Sequence, residues 1–290
     1  TSTTAAAAPH LPPPAPVPPF ASPPLPGEGT WHPIGRKVAG LTAVYAAFLR
    51  PDPVHTSLVT GVAWMDTKLL SAKLFAGNQE PGGSPWPYMA PIAPSLQPTL
   101  VAAFNSGFKL QDSHGGYYAY GRTARALSTG TASFVIKKDG SVDVGTWGTP
   151  GFTMGPSIAA VRQNLSLIVD HGKPVPGVGS GSFLQWGATV GNKILVWRSG
   201  VGVTADGALL YAAGNGLSVE SLASILARAG AVRAMEMDIN SDWTSFYSFD
   251  PAPGQPALPA NGTKLLPDMV RPPARYFEGS ARDFIAMFAR

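Results

Sequence analysis

The chain has 290 residues, a formal net charge of +4, 33 Gly, 30 Pro and no Cys; 44% of the residues are hydrophobic and only 13% are charged. The lack of Cys excludes disulfides and thiolate metal sites, and the sparse, scattered positive charge does not form the Lys/Arg stripe of a nucleic-acid binder, so no nucleic-acid partner is expected. The length suffices for a sizeable core, no apolar run is long enough to span a membrane, and the Gly and Pro content favours a loop-rich, β-rich protein over a helical bundle.

Residues 1–30 hold ten Pro among Ala, Thr and Ser. That composition cannot build a core and predicts an extended or disordered tether. The chain begins at Thr1 without Met, which fits the removal of an upstream signal or anchor. The corresponding expectation is an exported, extracytoplasmic protein of the cell envelope, held through its tether, with one folded domain over 31–290. Residues 41–49, LTAVYAAFL, read as a strand or a short helix, stopped by Arg50-Pro51-Asp52-Pro53. Residues 54–64 read as a strand with Val54, Leu58, Val62 and Trp64 as its apolar members. Residues 77–98 are rich in Pro and Gly and read as a long loop, either a functional wall or a surface excursion.

From residue 99 the pattern is a meander. TLVAAFN is a strand ending at Asn105, and GYYAYG and TASFVIKKDGSVDVGTWG continue it. Lys138-Asp139-Gly140, His171-Gly172-Lys173 and Ala205-Asp206-Gly207 read as hairpin turns. One helix is clear: Ser218 is the N-cap, Leu222, Ile225, Leu226 and Ala229 form its apolar stripe, and Gly230 stops it. A strand follows through AMEMDINSDW at 234–243. The C-terminal SARDFIAMFAR reads as a second helix or an edge strand.

The 234–243 segment carries the strongest chemical signal. Met235, Met237 and Ile239 alternate with Glu236, Asp238 and Asn240, which in a strand puts the acid, acid, amide set on one face, about 6.6 Å apart. Paired carboxylates at such spacing suit glycoside hydrolysis, one as general acid and the other as base or nucleophile. Two other readings stay open: a solvated polar sheet face, and a divalent cation held by Glu236, Asp238 and Asp242.

Asn105-Ser106-Gly107-Phe108-Lys109 runs from a strand into a permissive turn, where Asn105 can bond a sugar hydroxyl and Lys109 a phosphate. Arg198 interrupts an apolar strand beside Ser199, Gly200 and Gly202, as a clamp for phosphate or as the ion-pair partner of one of the acids. Gly177 to Ser182 is a Gly-rich run that could cradle an anion or be a plain loop. The five histidines lack metal-ligand spacing; His114, beside Gly115-Gly116, is the one placed near a site.

In this order the segments resemble the phosphodiester glycosidase family. Asn105-Ser106-Gly107-Phe108 matches its strand ending in Asn-Gly-Gly-Phe, and Arg198-Ser199-Gly200-Val201-Gly202 with Asp206-Gly207 matches its Arg strand and hairpin. The helix 218–229 and Asp238-Ile239-Asn240-Ser241 match the elements that follow, over roughly 95–250. The family's glycines after the Asp are replaced here by Ile239 and Asn240, which implies a divergent member with its own substrate or with lost activity. The resemblance carries over Asn105, Arg198 and Asp238; Glu236 rests on the strand pattern.

The expected fold class is α+β, a curved, largely antiparallel sheet packed around a central helix at about 218–229. The expected function is hydrolysis of a sugar-1-phosphodiester or a cell-envelope glycan, without a cofactor. In it Asp238, Glu236 and Arg198 are catalytic, and Asn105, Lys109, Asn240, Asp242 and His114 bind a glycan or sugar-phosphate substrate. The alternatives are a glycoside hydrolase acting on a neutral wall polysaccharide, and a non-catalytic glycan-binding or structural envelope protein.

Overall fold

The computed structural model describes residues 9–180 and 183–290. The main body is three antiparallel sheets. The largest has eight strands in the order His32–Pro33, Val44–Leu49, Thr60–Met65, Leu209–Leu217, Val196–Thr204, Ala231–Glu236, Leu167–Asp170 and Lys173–Pro174. A five-stranded sheet runs Val142–Thr146, Ala132–Lys137, Ile158–Gln163, Tyr117–Ala119 and Arg122–Arg125. Another runs Gly262–Lys264, Phe246–Phe249, Leu100–Asn105, Phe284–Ala289 and Leu70–Phe75.

Period two explains the layering. Along the long hairpin, Val201, Val203, Leu209, Tyr211 and Ala213 face inward, into a core shared with Phe104, Phe134, Met235 and Ile285. Leu210 and Ala212 face the other way, onto Leu222, Ile225 and Leu226 of the helix Val219–Arg228. Gly200 lies on that helix face, and a methyl group there would meet Leu226 at 3.0 Å and Leu222 at 3.2 Å. The small residues around Arg198 therefore let the helix settle against the sheet.

The helix forms as its caps dictate. Ser218 Oγ accepts from the Ser221 amide and Ser221 Oγ from the Ser218 amide, each at 3.0 Å, which satisfies two of the amides at its N-terminal end. Gly230, at φ +105°, ends it. Burying Leu222, Ile225 and Leu226 completely contributes about 1.5–3 kcal/mol for each side chain.

The antiparallel, β-rich part of the expected fold holds, and the expected hairpin turns lie where they were read. The α+β class with a central helix does not: the helix covers the outer face of one sheet, and the centre is filled by sheet-to-sheet packing. The strand read over 54–64 starts only at Thr60, because Asp52 caps the preceding loop by accepting from the Val54 and His55 amides. The C-terminal segment is neither helix nor edge. Phe284–Ala289 pairs on both sides, with Leu70–Phe75 and Leu100–Asn105.

Residues 1–8 of the Pro-rich segment lie outside the described residues; from Pro9 to Trp31 it forms neither helix nor strand, and it is not a free tether. Leu11, Val17 and Ala21 are buried, and the Leu11 amide donates to Asp66 Oδ2 at 2.8 Å. Glu28 pairs with Arg50 beneath it, at 2.9 Å. These apolar side chains, six and four residues apart, dock the segment together with the Glu28–Arg50 pair.

Candidate functional site

The strand Ala231–Glu236 ends at Glu236, and the chain continues irregularly through Asp238 to a turn at 241–243. In the sheet Glu236 lies opposite Gly200. Arg198, two residues along that neighbouring strand, therefore shares its face, and Arg198 Nη1 donates to Glu236 Oε1. Arg198 also donates through Nε to the Leu217 carbonyl at 3.0 Å and through Nη1 to the Trp186 carbonyl at 3.2 Å. The ion-pair reading of Arg198 is thus realised.

Asp238 has a different arginine. Its Oδ2 is 2.7 Å from Arg282 Nη2, and its Oδ1 accepts from the Asn240 amide at 2.9 Å. Its backbone is fixed by Ser106, whose carbonyl accepts from the Asp238 amide, and by Ser199 Oγ, which donates to the Asp238 carbonyl at 2.7 Å. Asn164 Nδ2 donates to the Glu236 carbonyl at 2.7 Å. Asn105 joins this frame from the adjacent sheet, with Nδ2 donating to Ser199 Oγ and the Ser106 carbonyl, both at 3.0 Å. Its Oδ1 accepts from Tyr211 Oη at 2.8 Å and the Ser245 amide at 3.0 Å. Asn105, Arg198 and Asp238 therefore do meet in one cluster.

Both carboxylates are covered, Glu236 at 1% and Asp238 at 4% exposure. Burial is the main force on each and disfavours the charged form. At Glu236 burial outweighs the attraction of Arg198 and, with help from nearby Asp238, pushes the pKa up to about 7. Glu236 Oε2 is enclosed without a partner among the described residues. At Asp238 burial also raises the pKa, but Arg282, the Asn240 amide and Arg275 all oppose it. Two neighbouring acids thus stand in unlike environments: burial raises both, and more groups oppose it at Asp238 than at Glu236.

The other expected residues divide. Asn240 and Asp242 are exposed at the turn, and Asn240 borders a cleft of about 430 Å³ lined also by Ile239, Ser241, Trp197 and Lys193. A larger cavity of about 970 Å³, lined by Phe20, Val54 and Ile194 among others, contains none of the candidate residues. Lys109 and His114 are exposed, and among the described residues neither side chain contacts the carboxylates. Asn105 has both amide protons and its oxygen engaged by protein, so it holds the frame and has no group left for a sugar. Each carboxylate faces a guanidinium, and the described residues contain no group of three or more His, Cys, Asp or Glu that could hold a metal ion. The Gly-rich run extends into Gly181 and Ser182, which lie outside the described residues.

Sequence reasoning missed Arg282, Arg275, Ser199 and Asn164. Arg282-Asp283, a charged doublet at the mouth of the apolar run FIAMFA, is the same kind of signal that marked Arg198. The serine and asparagine carry no such mark, since their importance lies in hydrogen bonds across strands.

A family model for phosphodiester glycosidases matches residues 98–244. No curated protein matches the sequence. Among solved structures, the zebrafish N-acetylglucosamine-1-phosphodiester alpha-N-acetylglucosaminidase catalytic domain, auto-inhibited by pro-peptide, superposes with a TM-score of 0.54 at 13% identity, covering 88% of this chain and 86% of that one. A hypothetical protein from Synechocystis gives a TM-score of 0.49 at 13% identity, covering 89% of this chain and 64% of that one. At such identity the zebrafish likeness is one of fold.

Proposed function

The chain belongs to the phosphodiester glycosidase family, and on that premise we propose that it hydrolyses the bond between an anomeric carbon and the phosphate of a sugar phosphodiester, as part of a cell-envelope glycan or a related molecule. The observation that carries this reading is the pair of buried acids, Glu236 and Asp238, each against its own arginine, with Asp238 also bonded by the Asn240 amide and one oxygen of Glu236 left without a partner among the described residues.

In this reading Asp238 takes the proton of an attacking water. A bond forms from the water oxygen to the anomeric carbon, the bond from that carbon to the phosphate oxygen breaks, and the phosphate leaves with the electron pair. A phosphate monoester is a good leaving group, so the step does not require full protonation of the departing oxygen. Glu236, held near neutrality by burial, is the proton donor that assists it. Arg198 sets the proton affinity of Glu236. Asn105, Ser199 and Asn164 position the backbone of both acids, and Asn240 lies where the sugar would enter from its cleft.

The test is a product screen with mass detection, sugar-1-phosphodiesters against neutral oligosaccharides. Release of sugar from the phosphodiesters, abolished by Asp238→Asn, is the expected result. Preferential cleavage of neutral glycans would replace this reading with that of an ordinary glycoside hydrolase. An envelope substrate implies an exported protein, which fractionation of the producing cells checks. No helix among the described residues is long and apolar enough to cross a membrane.

A further inference from the structure

Five arginines are buried among the described residues, and four of them face a carboxylate. Arg50 has Glu28, Arg162 has Asp283, Arg198 has Glu236 and Arg282 has Asp238. Arg275, at 8% exposure, has none among the described residues. Its Nη1 donates to the Trp243 carbonyl and to Ser245 Oγ. Its Nε and Nη2 are enclosed and meet no acceptor, and the same is true of Arg282 Nε. An uncompensated buried guanidinium is strongly unfavourable. The Trp243 and Tyr276 rings and nearby Asp238 offset part of the charge of Arg275, but among the described residues no carboxylate pairs with it, and a bound anion would complete the compensation.

The arginines that carry these unmet donors gather around one ring. The guanidinium carbons of Arg275 and Arg282 lie 5.4 and 5.5 Å from the centre of the Trp243 ring, and exposed Arg271 lies 5.6 Å from it. Arg275 and Arg282 both act on the charge of Asp238. Trp243 is half-buried, and its neighbour Asp242 is exposed, so the cluster reaches the surface at this turn. Counting Arg275 and Arg282 against Asp238 leaves one surplus positive charge.

We propose that Arg275 and Arg282 form the phosphate-binding subsite, their guanidinium groups holding the non-bridging oxygens of the phosphodiester beside Asp238 while Arg198 stays with Glu236. This rests on the sugar-phosphodiester reading above. A diester carries a single negative charge and two non-bridging oxygens, which matches one surplus cation and a set of fixed N–H donors better than a neutral ligand does. Both arginines lie beyond the 98–244 stretch that the family model matches.

The experiment uses the whole chain and inorganic phosphate as probe, followed by calorimetry and by thermal unfolding, with chloride at equal ionic strength as the control. The wild-type protein is expected to bind phosphate and to unfold at a higher temperature in it. Arg275→Gln is expected to bind phosphate roughly 10- to 100-fold more weakly and, in phosphate-free buffer, to be at least as stable as the wild type, because it removes an unpaired buried charge. A merely structural Arg275 would give the reverse: lower stability and an unchanged phosphate response. That result, or the absence of phosphate binding by the wild type, overturns the proposal. If Arg275→Gln fails to fold, Arg275→Lys keeps the charge but loses the fork, and unchanged phosphate affinity in that variant overturns it as well. If phosphate binds through Arg275 but no phosphodiester is hydrolysed, the anion site stands and the hydrolytic reading fails.

Discussion

Two buried Glu–Arg pairs occupy opposite ends of this molecule's chemistry. Glu28 and Arg50 join the Pro-rich segment to the large sheet, and Glu236 and Arg198 lie in the candidate site. Burial pushes toward a higher pKa in both. At Glu28 the hydrogen bonds from Arg50, the backbone amides of Leu25 and Arg50, and the guanidinium charge together outweigh it and hold the carboxyl below its usual range. At Glu236 only Arg198 opposes burial, one carboxylate oxygen has no partner, and the pKa moves up to about 7. The same two residue types form a permanent ion pair where every lone pair is used, and a titrating one where half are not.

That contrast can be broken by mutation. The largest effect is expected at Asp238, the acid next to the under-satisfied pair: Asp238→Asn should reduce turnover of a sugar phosphodiester about 10²- to 10⁴-fold while leaving the circular-dichroism spectrum of the fold intact. Retained activity would remove Asp238 from the mechanism. Next, Arg50→Ala strands Glu28 and should destabilise the protein by about 3–5 kcal/mol in denaturant melts, with unchanged kcat at temperatures where it stays folded. A loss of kcat in the folded variant would show that the two pairs communicate.

The third prediction uses pH and has opposite signs for the two pairs. The folded-state pKa of Glu236 is raised from about 4.5 to about 7, so its contribution is complete below about 4.5 and is lost as pH rises through 7. Glu236→Gln should therefore flatten the fall in stability across that window, an effect on the order of 2–3 kcal/mol. The folded-state pKa of Glu28 is lowered from 4.5, so its contribution is present above that value and is lost as pH falls through the lowered one. Melting temperatures of Glu28→Gln and Glu236→Gln from pH 3 to 9 would separate them, and parallel profiles would refute the distinction. Smallest, Gly200→Ala puts a methyl group against Leu226 and Leu222, opposite Glu236. It should cost about 1–3 kcal/mol by chemical denaturation, and no measurable change would mean the helix can shift freely over the sheet.

What could be read in advance follows the range of the signals. The turns at 138–140, 171–173 and 205–207 and the Ser218 to Gly230 helix are encoded within a few residues, and all of them formed as read. The meeting of Asn105, Arg198 and Asp238 followed from the order of motifs. The exposure of Lys109 and His114, and the complete engagement of Asn105 by Tyr211, Ser245 and Ser199, depend on which strands become neighbours, and local periodicity does not contain that information.

The amino-acid sequence by itself determined an antiparallel, β-rich chain with one capped helix, and it marked Glu236, Asp238 and Arg198 by placing charge in apolar runs. Only the tertiary structure decided which arginine serves which acid. It inserted the C-terminal strand Phe284–Ala289 between Leu70–Phe75 and Leu100–Asn105, and so carried Arg282 from the end of the chain to Asp238. It also buried Arg275 beside them without an ion-pair partner among the described residues. The reason is physical: a pKa, or the cost of an unpaired charge, depends on the distances and burial that packing creates, and residues forty or a hundred positions apart acquire those only when the sheets close.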